Sequence, residues 1–202
     1  SPVKEYSPDG ASFFSITGSG LTITYDGTQR NVQPKVVSAV WAPDSQSLAV
    51  VVYDTPITSS RQELPVYMIS ADGSEKREIA KTTVPGAVQF LRDGTLAYQF
   101  EGELHLLDTA TGNDRVAATG LDTDLTNDSP YLVSPDVAAV ALMHGTTLSV
   151  LNFASGSVNE LTTTVDLRRW GSYAWWSNDV LIYSDTGPKG LEAAPRIFSF
   201  DR

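Results

Sequence analysis

The 202 residues include no cysteine. That excludes thiol nucleophiles, thiolate metal centres and disulfide staples together, and it suits either a reducing cytosol or a bacterial envelope protein that does without disulfides. Histidine is scarce. His105 and His144 fall in or beside expected strands, in different parts of the chain, with no ligand-spaced partner in sequence, so both read as structural. Lysine and arginine number 14 against 24 acidic residues, for a net charge of −10. Nucleic acid and anionic membrane surfaces both need a basic face, so neither is the expected partner. The acidic balance reads as a solubility feature. No apolar run approaches the ~20 residues of a membrane-spanning helix, so this segment is not expected to insert in a bilayer. The chain opens Ser1-Pro2, with no initiator Met and no signal peptide, which reads as a processed or excised chain.

Catalytic signatures are also missing. There is no Gly-x-Ser-x-Gly elbow, no glycine-rich phosphate loop and no His-Glu-x-x-His. Ser1-Pro2-Val3-Lys4 matches Ser-x-x-Lys by spelling alone. The best cation candidate is the run Asp122-Thr123-Asp124-Leu125-Thr126-Asn127-Asp128. Carboxylates with an amide suit Ca²⁺, and Asp122, Asp124 and Asp128 would be the ligands. The run lacks the loop glycine and the distant bidentate glutamate of an EF-hand, and it reads as a solvated acidic loop. Asn127-Asp128-Ser129 spells a glycosylation acceptor, a triplet common by chance, here followed by Pro130. No catalytic residue and no cofactor is expected.

What the chain does contain is a repeat. A short apolar strand ends in an aromatic residue or Val, two residues follow, and then Asp, with Gly after it at Asp9 and Asp93. It reads Tyr6-Ser7-Pro8-Asp9-Gly10, Trp41-Ala42-Pro43-Asp44-Ser45, Phe90-Leu91-Arg92-Asp93-Gly94, Val133-Ser134-Pro135-Asp136-Val137 and Trp176-Ser177-Asn178-Asp179-Val180. The aspartates lie 35, 49, 43 and 43 residues apart. Pro presets φ for a tight turn, Asp bonds nearby backbone, and Gly supplies positive φ. A second strand is expected after each turn, at 11–17, 47–53, 95–100, 137–143 and 180–184. A third is expected at 21–25, 66–70, 103–107, 148–153 and 196–200, and a short fourth at 29–33, 76–80, 114–118 and 158–162. The alternation in Leu21-Thr22-Ile23-Thr24-Tyr25 has the period of two of a half-buried strand. No convincing amphipathic helix is visible. With 41% apolar residues the chain has enough for one sizeable core.

A period near ~40 residues with turn chemistry at a fixed place indicates an all-β β-propeller of about five four-stranded antiparallel blades. The strand–Ser-Pro-Asp-Gly–strand unit, followed by a strand ending in Asp-Gly, resembles the TolB-like repeat of WD-repeat-related propellers. The resemblance covers nearly the whole chain and implies one propeller, or propeller fragment, over 1–202, with blades at 1–34, 35–82, 83–121, 122–163 and 164–202. The last blade stops on its third strand, at Phe198-Ser199-Phe200-Asp201-Arg202. Further blades or another chain are expected to close the ring, since open sheet edges invite aggregation.

The longest connections join second to third strands at 54–65 and 185–195, or join blades at 119–130 and 163–173. In a propeller these emerge on one face, and insertions gathered there mark a binding face. Arg61, Glu63 and Lys189 belong to these connections. Arg168, Arg169, Trp170, Tyr173 and Trp175 suggest an aromatic and cationic patch beside them, since Trp, Tyr and Arg anchor protein interfaces. Trp176 aligns with Tyr6, Trp41 and Phe90, so it is expected in the core between blades. Trp175 is one residue out of that register and either faces the other way or packs on the neighbouring blade.

The leading reading is a non-catalytic propeller that binds or scaffolds a protein partner in a bacterial cell envelope or a secreted protein. It would be extracytoplasmic, whether periplasmic, at the cell surface or lipoprotein-anchored. Nine Arg against five Lys suit a high-GC bacterium, and the resemblance extends to actinobacterial lipoproteins that carry a C-terminal propeller and associate with a sensor kinase. Two alternatives stand beside it. One is the gating propeller of a prolyl-oligopeptidase-type serine peptidase whose catalytic domain lies elsewhere. The other is a carbohydrate-binding propeller using Trp170 and Trp175.

Overall fold

The structure is a computed structural model that describes residues 3–53, 62–121, 131–165, 173–185 and 194–199. Among the described residues the regular elements are all strands apart from one 3-10 turn at Pro85–Ala87. The chain divides into two compact units. The first holds three antiparallel sheets: β1 (Val3–Tyr6) to β4 (Thr28–Gln33) through β2 (Phe13–Thr17) and β3 (Gly20–Tyr25); β5 (Val36–Trp41), β6 (Ser47–Val52), β7 (Leu64–Ser70) and β8 (Lys76–Thr82); and β9 (Gln89–Phe90), β10 (Thr95–Phe100), β11 (Glu103–Asp108) and β12 (Asp114–Ala118). The second holds a four-stranded sheet, β13 (Tyr131–Val133), β14 (Ala139–His144), β15 (Thr147–Asn152) and β16 (Val158–Thr162), and a three-stranded sheet, β17 (Tyr173–Ser177), β18 (Val180–Asp185) and β19 (Ala194–Ser199). Strands lie in chain order within every sheet, so each sheet is a meander. The expected second strands begin within two residues of the observed ones, and the last sheet ends on its third strand among the described residues.

The turns form as the residue types require. Asp9, Asp44, Asp93 and Asp136 each accept, through Oδ1, the amide of the residue two positions on. The residue after each of these aspartates has positive φ: Gly10 73°, Ser45 63°, Gly94 88° and Val137 62°. Ser7 and Ser134, both buried, donate Oγ–H to Asp9 and Asp136 at 2.6 and 2.8 Å. The same chemistry recurs at Ser70-Ala71-Asp72-Gly73, where Ser70 Oγ donates to Asp72 at 2.7 Å.

Packing explains the apolar runs. Leu48, Val50 and Val52 of β6 join Phe14, Leu21 and Ile23 of the first sheet in one cluster, while Ala49 and Val51 join Leu96 and Tyr98 of the third in another. A strand covered on both faces has no solvent side, so its sequence cannot alternate. In the second unit Ala139, Ala141, Met143, Leu148 and Val150 pack with Tyr173 and Leu181. A register shift recurs where the third strand meets the fourth, at Leu21/Thr22, Val66/Tyr67, Leu104/His105 and Leu148/Ser149. One extra residue at each place sharpens the local twist of the outer strand.

Candidate functional site

In the second sheet, a cleft of about 470 Å³ opens beside the two tight turns, lined by Gln46, Ser47, Met68, Ser70, Glu75, Lys76 and Arg77. Its base is set by the turns themselves, since Ala71 donates its amide to the Gln46 carbonyl at 2.8 Å and Glu75 donates its amide to Ser70 Oγ at 2.9 Å. The cations on its wall are held from outside. Lys76 Nζ donates to Gln33 Oε1 and lies 4.0 Å from the centre of the Tyr67 ring. Arg77 donates to the Thr109 carbonyl at 2.8 Å. Met68 is the apolar side chain of this lining.

Arg77 repeats a contact made one sheet earlier. Arg30 on β4 donates to the Asp72 carbonyl, in the β7–β8 turn, at 2.9 Å. Arg77 on β8 reaches the β11–β12 turn in the same way. An arginine on an outer strand thus clasps the outer turn of the next sheet, twice. Neither arginine was singled out from sequence. The usable signal is that each stands on a fourth strand opposite an apolar residue of the third, Ile23 and Met68.

His105, read from sequence as a structural residue, has partners that its sequence neighbours do not reveal. It stacks on Tyr98 with ring centres 4.9 Å apart, and its Nδ1 lies 3.0 Å from Asp114 Oδ2. Tyr98 donates its hydroxyl to the same oxygen at 2.6 Å, and His105 Nε2 lies 3.5 Å from Glu103. Residues nine and seven positions apart meet because β10, β11 and β12 are adjacent. Burial, then the Asp114 carboxylate, hold the Tyr98 phenol well above its ordinary pKa. The His105 side chain is only 14% exposed and lines no part of the cleft, so this cluster ties three strands together.

The remaining expected site residues scatter. Arg61, Arg168, Arg169, Trp170 and Lys189 lie outside the described residues, as do Asp122, Asp124 and Asp128. Glu63 pairs with Lys81 at 2.9 Å, both side chains about half exposed. Tyr173 is 8% exposed and belongs to the core. Trp175 is half-buried against that core and donates Nε1–H to the Leu132 carbonyl at 2.9 Å. Of the two readings open for it, packing on the neighbouring blade is the one that holds. Trp176, expected in the core, is 78% exposed. The cause is the hairpin. Ser177 pairs with Val180 across a two-residue turn, and the register shifts between Trp175 and Ser177, which leaves Trp176 as the bulged residue. Trp175 then faces Leu181 as Trp41 faces Leu48, and takes the inward place. Tyr6, aligned with Trp41, is also 58% exposed.

These stacked meanders form a TolB-like β-propeller-type fold. A TolB candidate from Agrobacterium tumefaciens superposes with a TM-score of 0.57 at 14% identity, over 98% of this chain and 76% of that one. An oligogalacturonate lyase in complex with manganese gives 0.54 at 11% identity, again over 98% and 76%. Dipeptidyl peptidase 4 of Porphyromonas gingivalis gives 0.59 at 11% identity over the whole of this chain but only 40% of its own. No protein-family profile matches the sequence, and no curated protein does. Enzymes and TolB stand together among these neighbours, so the likeness fixes the fold and leaves the chemistry to the site. Among the described residues, no helix is long and apolar enough to cross a membrane.

Proposed function

We propose that this chain is a non-catalytic propeller module that binds a protein partner, in the cell envelope or in a secreted bacterial protein. The observation that carries this reading is the cleft beside the tight turns. Its lining joins one apolar side chain, Met68, to one acid, Glu75, and two exposed cations, Lys76 and Arg77. That mixture suits a short peptide stretch with an apolar side chain between polar ones. Its two cations are oriented by Gln33, Tyr67 and Thr109 before any ligand arrives, which lowers the ordering cost of binding.

The long connections offer a second contact region. Within each unit the strand pairing sends them from the strand ends opposite the tight turns: Val52 to Leu64 in the first, Asp185 to Ala194 in the second. Arg61, Glu63, Arg168, Arg169, Trp170 and Lys189 remain the proposed anchors there. A photo-crosslinking side chain placed at Gln46, and separately at Glu63, tests the reading in cells. A defined envelope-protein adduct from Gln46 is expected. Adducts from Glu63 alone move the site to the long connections. None from either position, with the protein folded and abundant, sinks the proposal.

A further inference from the structure

The sequence spells Asp-Gly at Asp9-Gly10, Asp26-Gly27, Asp72-Gly73 and Asp93-Gly94. The pairs at Asp26 and Asp93 continue with the same residue type, Thr28 and Thr95. Local spelling therefore gives those two sites equal chemistry, and only the fold can separate them.

All but one of the pairs are bonded shut. The amides of Gly10, Gly73 and Gly94 donate to the carbonyls of Ser7, Ser70 and Leu91 at 2.8, 2.8 and 3.0 Å. The carboxylates beside them are committed as well. Asp9 Oδ1 accepts from Ser7 Oγ and the Ala11 amide, and Asp72 Oδ1 from Ser70 Oγ and the Ser74 amide. Asp93 Oδ1 accepts from the Thr95 amide. Asp26 and Gly27 differ because their turn differs. They are the central residues of the tight hairpin between β3 and β4, closed by the Tyr25–Thr28 pair, with φ of 48° and 72°. The closing bonds of such a hairpin run between the flanking residues, so the amide of its second central residue has no part in them. Among the described residues, neither the Asp26 carboxylate nor the Gly27 amide makes a hydrogen bond.

We propose that Asp26-Gly27 is a site of spontaneous aspartate isomerisation, and that the other Asp-Gly pairs are protected by their turns. The Gly27 amide nitrogen attacks Cγ of the Asp26 carboxylic acid. An N–C bond forms, the C–OH bond breaks, and the hydroxyl leaves with the amide proton as water. Glycine eases the approach because it carries no β-carbon. Water then opens the succinimide. Addition at the Cγ carbonyl restores aspartate, and addition at the main-chain carbonyl gives isoaspartate, with the chain routed through Cβ. The water lost in the first step is regained in the second, so no co-reactant is needed. At Asp9 and Asp72 the serine hydroxyl and amide bonds that hold the turn also lower the carboxyl pKa, which makes the reactive acid form scarcer. Isoaspartate adds a main-chain carbon to the tightest kind of hairpin turn. It therefore disturbs the register of β4, whose Arg30 reaches the Asp72 carbonyl.

The test is peptide mapping of the full 202-residue chain after prolonged warm incubation in mildly acidic buffer, with fragmentation that separates isoaspartate from aspartate. Isoaspartate at Asp26 should form about tenfold faster than at Asp93, or more, because bonds to both the amide and the carboxylate must break at Asp93 before attack. In concentrated urea the two sites should convert at similar rates, since both are then Asp-Gly-Thr in an open chain. Equal rates at the two sites in the folded chain overturn the proposal, as does a folded chain that forms none at Asp26. A lead for Asp26 that persists unchanged in urea overturns it too, because the cause would then lie in the flanking sequence and not in the turn.

Discussion

Trp41 on β5 donates its indole N–H to the carbonyl of Glu5 on β1, 36 residues back, and so joins two sheets through one bond at the base of a shared cluster. The indole fills the space beside Phe14, with ring centres 6.1 Å apart, and its one polar atom finds a partner there. Removing the whole side chain, in Trp41→Ala, should cost about 3–5 kcal/mol through the cavity left behind. Trp41→Phe keeps most of the volume and loses the bond, and should cost about 1–2 kcal/mol. Urea unfolding of the two variants separates packing from hydrogen bonding. A Trp41→Phe variant as stable as the unmodified chain would show that the bond contributes nothing.

Val137 holds φ at 62°, where its branched β-carbon crowds the backbone. Its counterparts after Asp9 and Asp93 are glycines. Val137→Gly should therefore stabilise the protein by about 1 kcal/mol, the relief of strain exceeding the added freedom of the unfolded chain. A lower unfolding midpoint for the variant would mean that the valine side chain contributes packing that outweighs its strain.

Two glycines with positive φ should respond differently to a methyl group. At Gly20, φ is 117° and an added β-carbon would collide with the Gln33 carbonyl and stand 2.7 Å from Pro34 Cα, both main-chain atoms with little room to move. At Gly10, φ is 73° and nothing lies within 4 Å. Gly10→Ala should cost about 1 kcal/mol, from conformation alone. Gly20→Ala should cost more than about 2 kcal/mol or abolish the β3–β4 pairing, readable as lost amide protection at Leu21 and Thr22.

The turn aspartates set the acid limit. Hydrogen bonds from Ser70 and from the Ser74 amide and hydroxyl, with Arg30 nearby, lower the Asp72 carboxyl to about 2. Ser7 and the Ala11 amide lower Asp9, and Thr111 with the Ala110 amide lowers Asp108. A folded pKa below the unfolded one stabilises above the unfolded value, near 3.8 for Asp72, and that stability is lost as pH falls through the folded value. Unfolding midpoints should thus decline between pH 4 and pH 2. Asp72→Asn, whose amide oxygen still accepts from Ser74, should flatten part of that decline. An unchanged pH profile in the variant would remove Asp72 as a cause.

The repeat was legible because turn chemistry is local. A turn Asp accepts the amide two residues on, so the turns, the strands that flank them and the propeller class followed from spelling and spacing. The candidate site was hardly legible at all. Trp175 and Trp176 are adjacent in sequence, and alignment alone put the wrong one in the core. Only the shortened hairpin between Ser177 and Val180, with its bulge, decides which indole turns inward. Tyr98, His105 and Asp114 became a cluster because three neighbouring strands carry them to one place. The clasps from Arg30 and Arg77 each span more than 30 residues, to a turn on a different sheet. What the sequence determined by itself was every feature closed within a few residues. Which side chains share a cleft or a joint was decided by tertiary structure, because strand register and sheet stacking set those distances and no local pattern encodes them.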